Sequence, residues 1–353
     1  MDDLREVARL FRKTFLSPAG AGSMPLESYL KEIFLDHPWR DADLPSLVYV
    51  KPDGVIGGFI GVLPLRLIHN GVPVRAASAG SLMVDQPAEN PLAGARLLRS
   101  FFSGPQELSI SDSANEVSQR MWSKLGGRTA GAYSMEWLRV FRPVGFAVAM
   151  AGERGAPRLL RRLALPFDGL ATRIGRRLFA LVEESDRGVD VDDDELLEAL
   201  PRLAERYALR PAWDRRSLAW FLSHAAEKER YGGLVRRVIR GRNGAPTGAY
   251  LYCVRPRGIG FVLQMLAALG AEEAVVDDLL ADARRRGAVA VRGRVQPEFS
   301  DVLLRRRAFF LHAASTVVHS RRADLVSVVA GGEALITGLA GESWSRLIGG
   351  TSM

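Results

Sequence analysis

Residues 76–127 alternate strand-like and helix-like segments with almost no slack between them. Ala79-Gly80-Ser81-Leu82-Met83-Val84 is an apolar strand, residues 85–91 form a short polar loop, and Leu92-Ala93-Gly94-Ala95-Arg96-Leu97-Leu98 opens a helix with small residues. A second strand over 107–111 and a second helix over 115–125 complete the unit. Such an order cannot pack as a helical bundle or a sandwich. It needs a sheet with helices laid on it.

The flanking segments extend the same architecture. Leu4, Val7, Ala8, Leu10, Phe11 and Phe15 recur at helical spacing and predict a helix over 4–16. A second helix is expected over 25–34, ended by His37-Pro38-Trp39. Residues 47–50 and 55–63 read as strands around Lys51-Pro52-Asp53-Gly54, and 65–69 pairs with 72–79 through Asn70-Gly71, a strong hairpin signal. Residues 129–141 add one or two strands to the same half. The fold class is therefore α/β with a mixed sheet.

At 353 residues the chain is too long for one ordinary core and suggests about two domains. Three parts are expected. Residues 1–148 form the first α/β half. Residues 149–230 form a helical bridge, in which the acidic run 190–195 lies at the start of a helix, where the dipole favours negative charge. Residues 231–353 repeat the first half in outline: strands at 234–240, 247–254 and 260–265, a helix at 271–286, a strand at 288–295 and a helix at 299–307.

Composition narrows the classes. The net charge is +8, carried by arginine runs such as Arg158, Arg161 and Arg162, Arg284 to Arg286, and Arg305 to Arg307. These suit an anionic donor, but solvated helix faces account for most of them. Nucleic acid is disfavoured because aromatic interleaving and reading motifs are missing. A single cysteine, Cys253, excludes an internal disulfide and fits a reducing cytoplasm. Five histidines and that one cysteine show no zinc-like spacing, so no metal is expected. No apolar run approaches the ~18 residues of a membrane span.

The order over 76–127, with Asp112-Ser113-Ala114-Asn115-Glu116 followed by Lys124-Leu125-Gly126-Gly127, resembles the GNAT superfamily of acyl-CoA-dependent N-acyltransferases. The repeated outline resembles the tandem members, such as the mycothiol-synthase-like and Fem-type transferases. The resemblance implies two GNAT-like folds and transfer of an acyl group from acetyl-CoA or another acyl-CoA to a small-molecule amine. Leu82, Met83 and Val84 then belong to the strand along which the pantetheine arm lies. The family's phosphate loop, Arg/Gln-x-x-Gly-x-Gly/Ala, falls on Asn90, Ala93 and Ala95, with Gly94 between the last two. Asn90 departs from the family's Arg or Gln, and Pro91 removes one N–H. Asn115 matches the family's pantetheine-contacting Asn, although its residue type equally suits a helix N-cap. Trp122 stands where the family places an acidic Tyr and cannot donate a proton at neutral pH, so it is carried as a pocket wall.

Acyl transfer to an amine benefits from a general base. The candidates are Asp85 at the end of the cofactor strand, Glu136 on a following strand and His69 in the hairpin, with Tyr133 as a replacement acid. Each also has an ordinary structural reading: turn residue, solvated strand residue, sheet-edge residue. Gln264, Arg292 and Arg294 are candidate cleft-facing groups of the second half, which lacks a phosphate loop. Two other readings stay open. The donor could be an acyl carrier protein or aminoacyl-tRNA, or the fold could be a non-catalytic scaffold.

Overall fold

The computed structural model describes residues 2–15, 26–153 and 187–347. Two mixed sheets, each of seven strands among the described residues, carry the chain. The first has the order β1 (Leu47–Val50), β2 (Ile56–His69), β3 (Val72–Val84), β4 (Leu108–Ala114), β14 (Ser315–His319) and β5 (Arg128–Thr129), with β8 (Leu209–Pro211) added beside β2. The hairpin joining β2 to β3 turns at Asn70 and Gly71, both at positive φ (49° and 84°). That pair of left-handed residues matches the twist of the strands it joins. β3 and β4 run parallel, connected by the helix α3 (Ala93–Phe102).

Helices cover both faces of this sheet. α1 (Asp2–Phe15) and α2 (Leu26–Phe34) lay Val7, Leu10, Phe11, Leu30 and Ile33 on one face. α3 and α4 (Glu116–Lys124) bury Leu97, Leu98, Phe101 and Trp122 on the other. This double cover explains why β2 alternates poorly and is buried along most of its length.

The second sheet has the order β13 (Phe309–His312), β6 (Met135–Val140), β12 (Ala290–Arg294), β11 (Ile259–Ala267), β10 (Pro246–Val254), β9 (Gly233–Arg240) and β7 (Gly188–Asp190). α5 (Pro143–Glu153) follows β6, and α6 (Asp193–Ala204) and α7 (Arg215–Ala226) precede β9. α6 is capped by Asp192 with an acidic first turn, as the run 190–195 predicts. α8 (Glu272–Arg285) packs against β10 and β11, while α9 (Ser300–Arg305) and α10 (Ala323–Ala330) close the C-terminal half. Within the expected bridge, residues 154–186, including Arg158, Arg161 and Arg162, lie outside the described residues.

The halves exchange strands. β6, expected beside the first-half strands, lies between β12 and β13 of the second sheet. β14 returns from the second half to pair with β4 and β5 in the first. Arg294 locks the exchange, donating to the carbonyls of Asp112 (2.8 Å) and Ala314 (2.9 Å) and to Thr316 Oγ1 (2.9 Å). One continuous core follows, running from Phe11 and Tyr29 through Leu200 and Phe221 to Leu251, Leu263 and Trp344.

Two arginine runs are partly paired within the chain. Arg286 pairs with Asp190 and Asp282, and Arg306 pairs with Asp277 and Glu273. No helix among the described residues is long and apolar enough to cross a membrane.

Candidate active site

The parallel pairing of β3 with β4 runs from Ala76–Leu108 to Ser78–Ile110 and then stops, although both strands continue. The cause is local. Against β2, Gly80 pairs with Gly61 and Met83 with Phe59, so Ser81 and Leu82 together oppose the single residue Ile60. This is a bulge, and Ser81 takes the left-handed conformation there (φ 54°). A bulge bends its strand and ends regular pairing. A positive φ at a serine stores strain of the kind found beside functional sites.

The gap is occupied by a carboxyl group from the far end of the chain. Glu342 Oε1 accepts a hydrogen bond from Ser78 Oγ at 2.6 Å, and Oε2 accepts one from Ser113 Oγ at 2.9 Å. The Glu342 amide donates to Asp112 Oδ2 at 3.2 Å. Both carboxyls are buried, and Asp112 Oδ1 has no hydrogen-bond partner among the described residues. Burial, reinforced by the charge of Asp112, pushes Glu342 up to about 8. Burial also raises Asp112. The two carboxyls hinder each other's ionisation, because a second negative charge in the same buried space is unfavourable.

The segment carrying Glu342 is fixed at several points. Gly338 has a φ of 73°, and a Cβ there would lie 2.2 Å from the Leu263 carbonyl. Leu339 N donates to Gln264 Oε1 at 3.0 Å. A Cβ on Gly341 would meet Asp112 Oδ2 at 2.2 Å, so only glycine lets the chain pass. Trp344 is buried against Trp220, Phe221 and His37, and Lys228 Nζ donates to the Ser345 carbonyl at 2.6 Å. Burial brings Lys228 down to about 7.

A cavity of about 160 Å³ opens beside this carboxyl. Gly80, Ser81 and Leu82 of β3, Ser111 and Ser113 of β4, and Asn115 and Ser118 at the start of α4 form its polar end. Phe11, Phe15, Ile33, Phe34 and Leu63 form an apolar end beneath α1 and α2.

The residues singled out from sequence divide around this cavity. Leu82 and Asn115 line it; Asn115 Oδ1 also caps α4, accepting from Ser118 N at 2.9 Å. Met83 is buried in the core, and Val84 lies near Gly94, where a Cβ would meet it at 3.5 Å. Asn90 donates to the Asp85 carbonyl at 3.4 Å, Ala93 is buried at the first turn of α3, and Ala95 is half-buried beside it. The start of α3 has no side-chain cap, and Leu92 stands 61% exposed at its lip. Trp122 is not at the pocket. Its ring packs edge-on against Phe102 in the core, because the helix face that carries it turns toward α3.

The expected catalytic side chains are not brought together. Asp85 sits between Lys13 (2.5 Å) and Lys51 (2.8 Å), which hold its carboxyl down at about 2, too acidic to take a proton from an amine. Glu136 lies in the second sheet, opposite Arg294 and Leu311, because the strand exchange carries β6 away. Tyr133 is buried, donates to the Ala334 carbonyl at 2.7 Å and accepts from Ala334 N at 3.1 Å; burial raises its hydroxyl well above the usual range. His69 faces Asp324 at 3.4 Å. Gln264 and Arg294 tie segments together, and Arg292 lies over the rings of Tyr231 and Phe261. Cys253 is fully buried, and burial pushes its thiol up to about 11, so it packs rather than reacts. No group of His, Cys, Asp or Glu among the described residues could hold a metal ion.

Glu342 and its hydroxyl partners were absent from the sequence candidates. Their only signal is Gly338-Leu339-Ala340-Gly341-Glu342-Ser343-Trp344, a glycine-flanked carboxylate beside a tryptophan and without regular periodicity.

No protein-family model and no curated protein matches this sequence. Among solved structures, the chain is similar to a GCN5-related N-acetyltransferase from Anabaena variabilis (12% identity, TM-score 0.58), with 91% of this chain and 71% of that one covered. It is similar to a probable N-acyltransferase from Enterococcus faecalis (9% identity, TM-score 0.58), with 90% and 70% covered. It is also similar to N-myristoyltransferase from Saccharomyces cerevisiae with bound myristoyl-CoA (12% identity, TM-score 0.51), with 91% and 77% covered. At these identities the likeness is one of fold. The chain has the fold of the GNAT acyltransferases, built as two mixed sheets in one chain.

Proposed function

We propose that this chain is an N-acyltransferase that moves an acyl group from an acyl-CoA to the amine of a small molecule, with Glu342 as general base. The observation that carries the reading is the Glu342 carboxyl, held by two hydroxyls inside the opened β3–β4 gap at the edge of a cavity. In this reading residues 1–148 hold the donor and the half over 231–353 supplies the base.

The donor's pyrophosphate meets the uncapped start of α3, where backbone N–H groups and the helix dipole favour an anion. Exposed Arg96 and Arg99 add charge nearby. The pantetheine arm follows β3 past Leu82 toward Asn115, and the thioester reaches the gap beside Ser81. An amine arrives as the ammonium and gives one proton to Glu342. A carboxyl poised near 8 accepts it without becoming too strong an acid to release it again. The neutral nitrogen then attacks the thioester carbon. A C–N bond forms, the C–S bond breaks, and the thiolate leaves as thiol after taking the nitrogen's second proton. Ser113, exposed and bonded to Glu342, gives the first proton a way to solvent. A single cysteine fits operation in a reducing compartment such as the cytoplasm.

Leu92→Asp tests the donor site. The aspartate supplies the N-cap that α3 lacks, so the fold is kept or strengthened, while its charge competes with the pyrophosphate. Calorimetric binding of acetyl-CoA is expected to weaken by about tenfold with no fall in melting temperature. Unchanged binding would remove the donor from this loop. Turnover with acyl carrier protein but not with free acyl-CoA would replace the donor.

A further inference from the structure

We infer that the acceptor is a monocationic amine carrying a benzene-sized apolar group, and that it bears no carboxylate or phosphate. This inference rests on the acyl-transfer reading for its reaction and on the cavity for its chemistry.

Among the described residues that line the cavity, Glu342 is the only ionisable side chain. No lysine, arginine or histidine is among the described residues that line it. The carboxylate of an amino acid or the phosphate of a sugar phosphate would enter without a partner, and an unpaired buried charge is among the costliest groups a site can hold. A polyhydroxylated amino sugar would leave its hydroxyls against Phe11, Phe15, Ile33, Phe34 and Leu63, where nothing can bond them. An ammonium with an apolar body matches both ends at once: its N–H groups meet Glu342 and the surrounding serine hydroxyls, and its body meets the rings.

Size selects among such amines. The cavity holds about 160 Å³. A dry apolar cavity of about 150 Å³ accommodates benzene. With the thioester at the polar end, the apolar end has room for no more than one ring. The backbone is shaped to keep the rings where they are. A Cβ on Gly61 would lie 2.3 Å from the Phe34 ring, so glycine in β2 lets that ring approach the strand and line the cavity. Phe34 is held from the far side by an edge contact with Phe59, and Phe11 and Phe15 contact each other at 4.9 Å.

The test uses the full chain and two separate readouts, calorimetric binding of the amine alone and release of CoA thiol from acetyl-CoA. The probes are phenethylamine, phenylalanine and glucosamine. Phenethylamine is expected to bind without donor and to exceed both other amines in kcat/KM by at least about 100-fold, the discrimination typical of unpaired polar groups. Equal turnover of phenylalanine or glucosamine would overturn the inference while leaving acyl transfer standing. Binding of phenethylamine without thiol release would leave the cavity assignment standing and remove the acyl-CoA reaction. Selectivity for acyl-chain length with none among amines would give the apolar end to the donor, and would also overturn it.

Gly61→Ala pushes Phe34 into the cavity and is expected to abolish phenethylamine binding. Phe15→Ala, at the half-buried end, guards against a folding defect in that variant. It should shift preference toward naphthylethylamine, and an unchanged preference would count against the assignment.

Discussion

Glu342 combines burial, two hydroxyl partners and access to a cavity. Asp85 has charge but is neutralised by two lysines, and Tyr133 is buried but saturated by the backbone of Ala334. Glu342→Gln keeps the shape and the serine contacts and removes the base. It is expected to lower kcat/KM for the amine by about 100- to 1000-fold near neutral pH. Acetyl-CoA binding should not change. In the parent protein the log of kcat/KM should rise with pH and bend near 8, and the variant should lose that bend. A variant that retains the bend would take the role of base away from Glu342.

At the scale of elements, the site depends on two departures from regularity. The bulge at Ser81 opens the β3–β4 gap, and the glycines of 338–341 let the C-terminal segment thread into it. Gly341→Ala adds one methyl group 2.2 Å from Asp112 Oδ2 and 2.9 Å from the Ile336 carbonyl. Overpacking of this kind costs about 1–3 kcal/mol. The segment should shift, taking Glu342 out of the gap. Activity is expected to fall about as far as in Glu342→Gln, with acetyl-CoA binding retained because α3 and β3 are untouched. Loss of binding and activity together would show that the segment supports the whole first sheet, not the carboxyl alone.

The whole molecule stores buried ionisable groups of opposite sense. His37 and His224 lie in the aromatic cluster around Trp220 and Trp344, and burial brings them down to about 3 and about 4. Their stabilising neutral form is fully present above the ordinary histidine value, and stability is lost as pH falls toward those folded values. Asp112 and Glu342 are raised, so their contribution is present below the ordinary carboxyl range and is lost as pH rises, through about 8 for Glu342. Each such group costs on the order of 1 kcal/mol per pH unit across its window. Lys228, brought down to about 7, acts in the opposite sense, its contribution growing as pH rises above that value, so urea melts are expected to show highest stability at mildly acid pH and a fall that extends only to about 8. The alkaline limb should flatten in Glu342→Gln and the acid limb in His224→Phe. A pH-independent midpoint from 4 to 9 in the parent protein would contradict this placement of the four groups.

Much of the architecture was legible because it is local. The Asn70-Gly71 turn, the helix face of Val7, Leu10 and Phe11, the acidic start of α6 and the β3–α3–β4–α4 order all follow from periodicity, turn chemistry and capping. Leu82 and Asn115, expected to contact the donor, line the cavity because β3 and the start of α4 follow paths that the sequence determines. What the sequence could not show is non-local. Exchanging β6 and β14 between the sheets changes no local propensity, because each remains a strand whichever sheet it completes. Trp122 and Glu136 were misplaced by that limit, since which face or sheet receives a side chain depends on distant packing. The base was hidden most completely. Glu342 lies 264 residues from Ser78 and 229 from Ser113, and only the closed fold brings a carboxyl without helical or strand periodicity against two hydroxyls in a strand gap. The sequence by itself determined the elements and the α/β class, through short-range sterics and hydrophobic period. The tertiary structure alone decided which sheet each strand completed and which carboxyl was buried beside the cavity, because burial and its effect on charge exist only once distant segments meet.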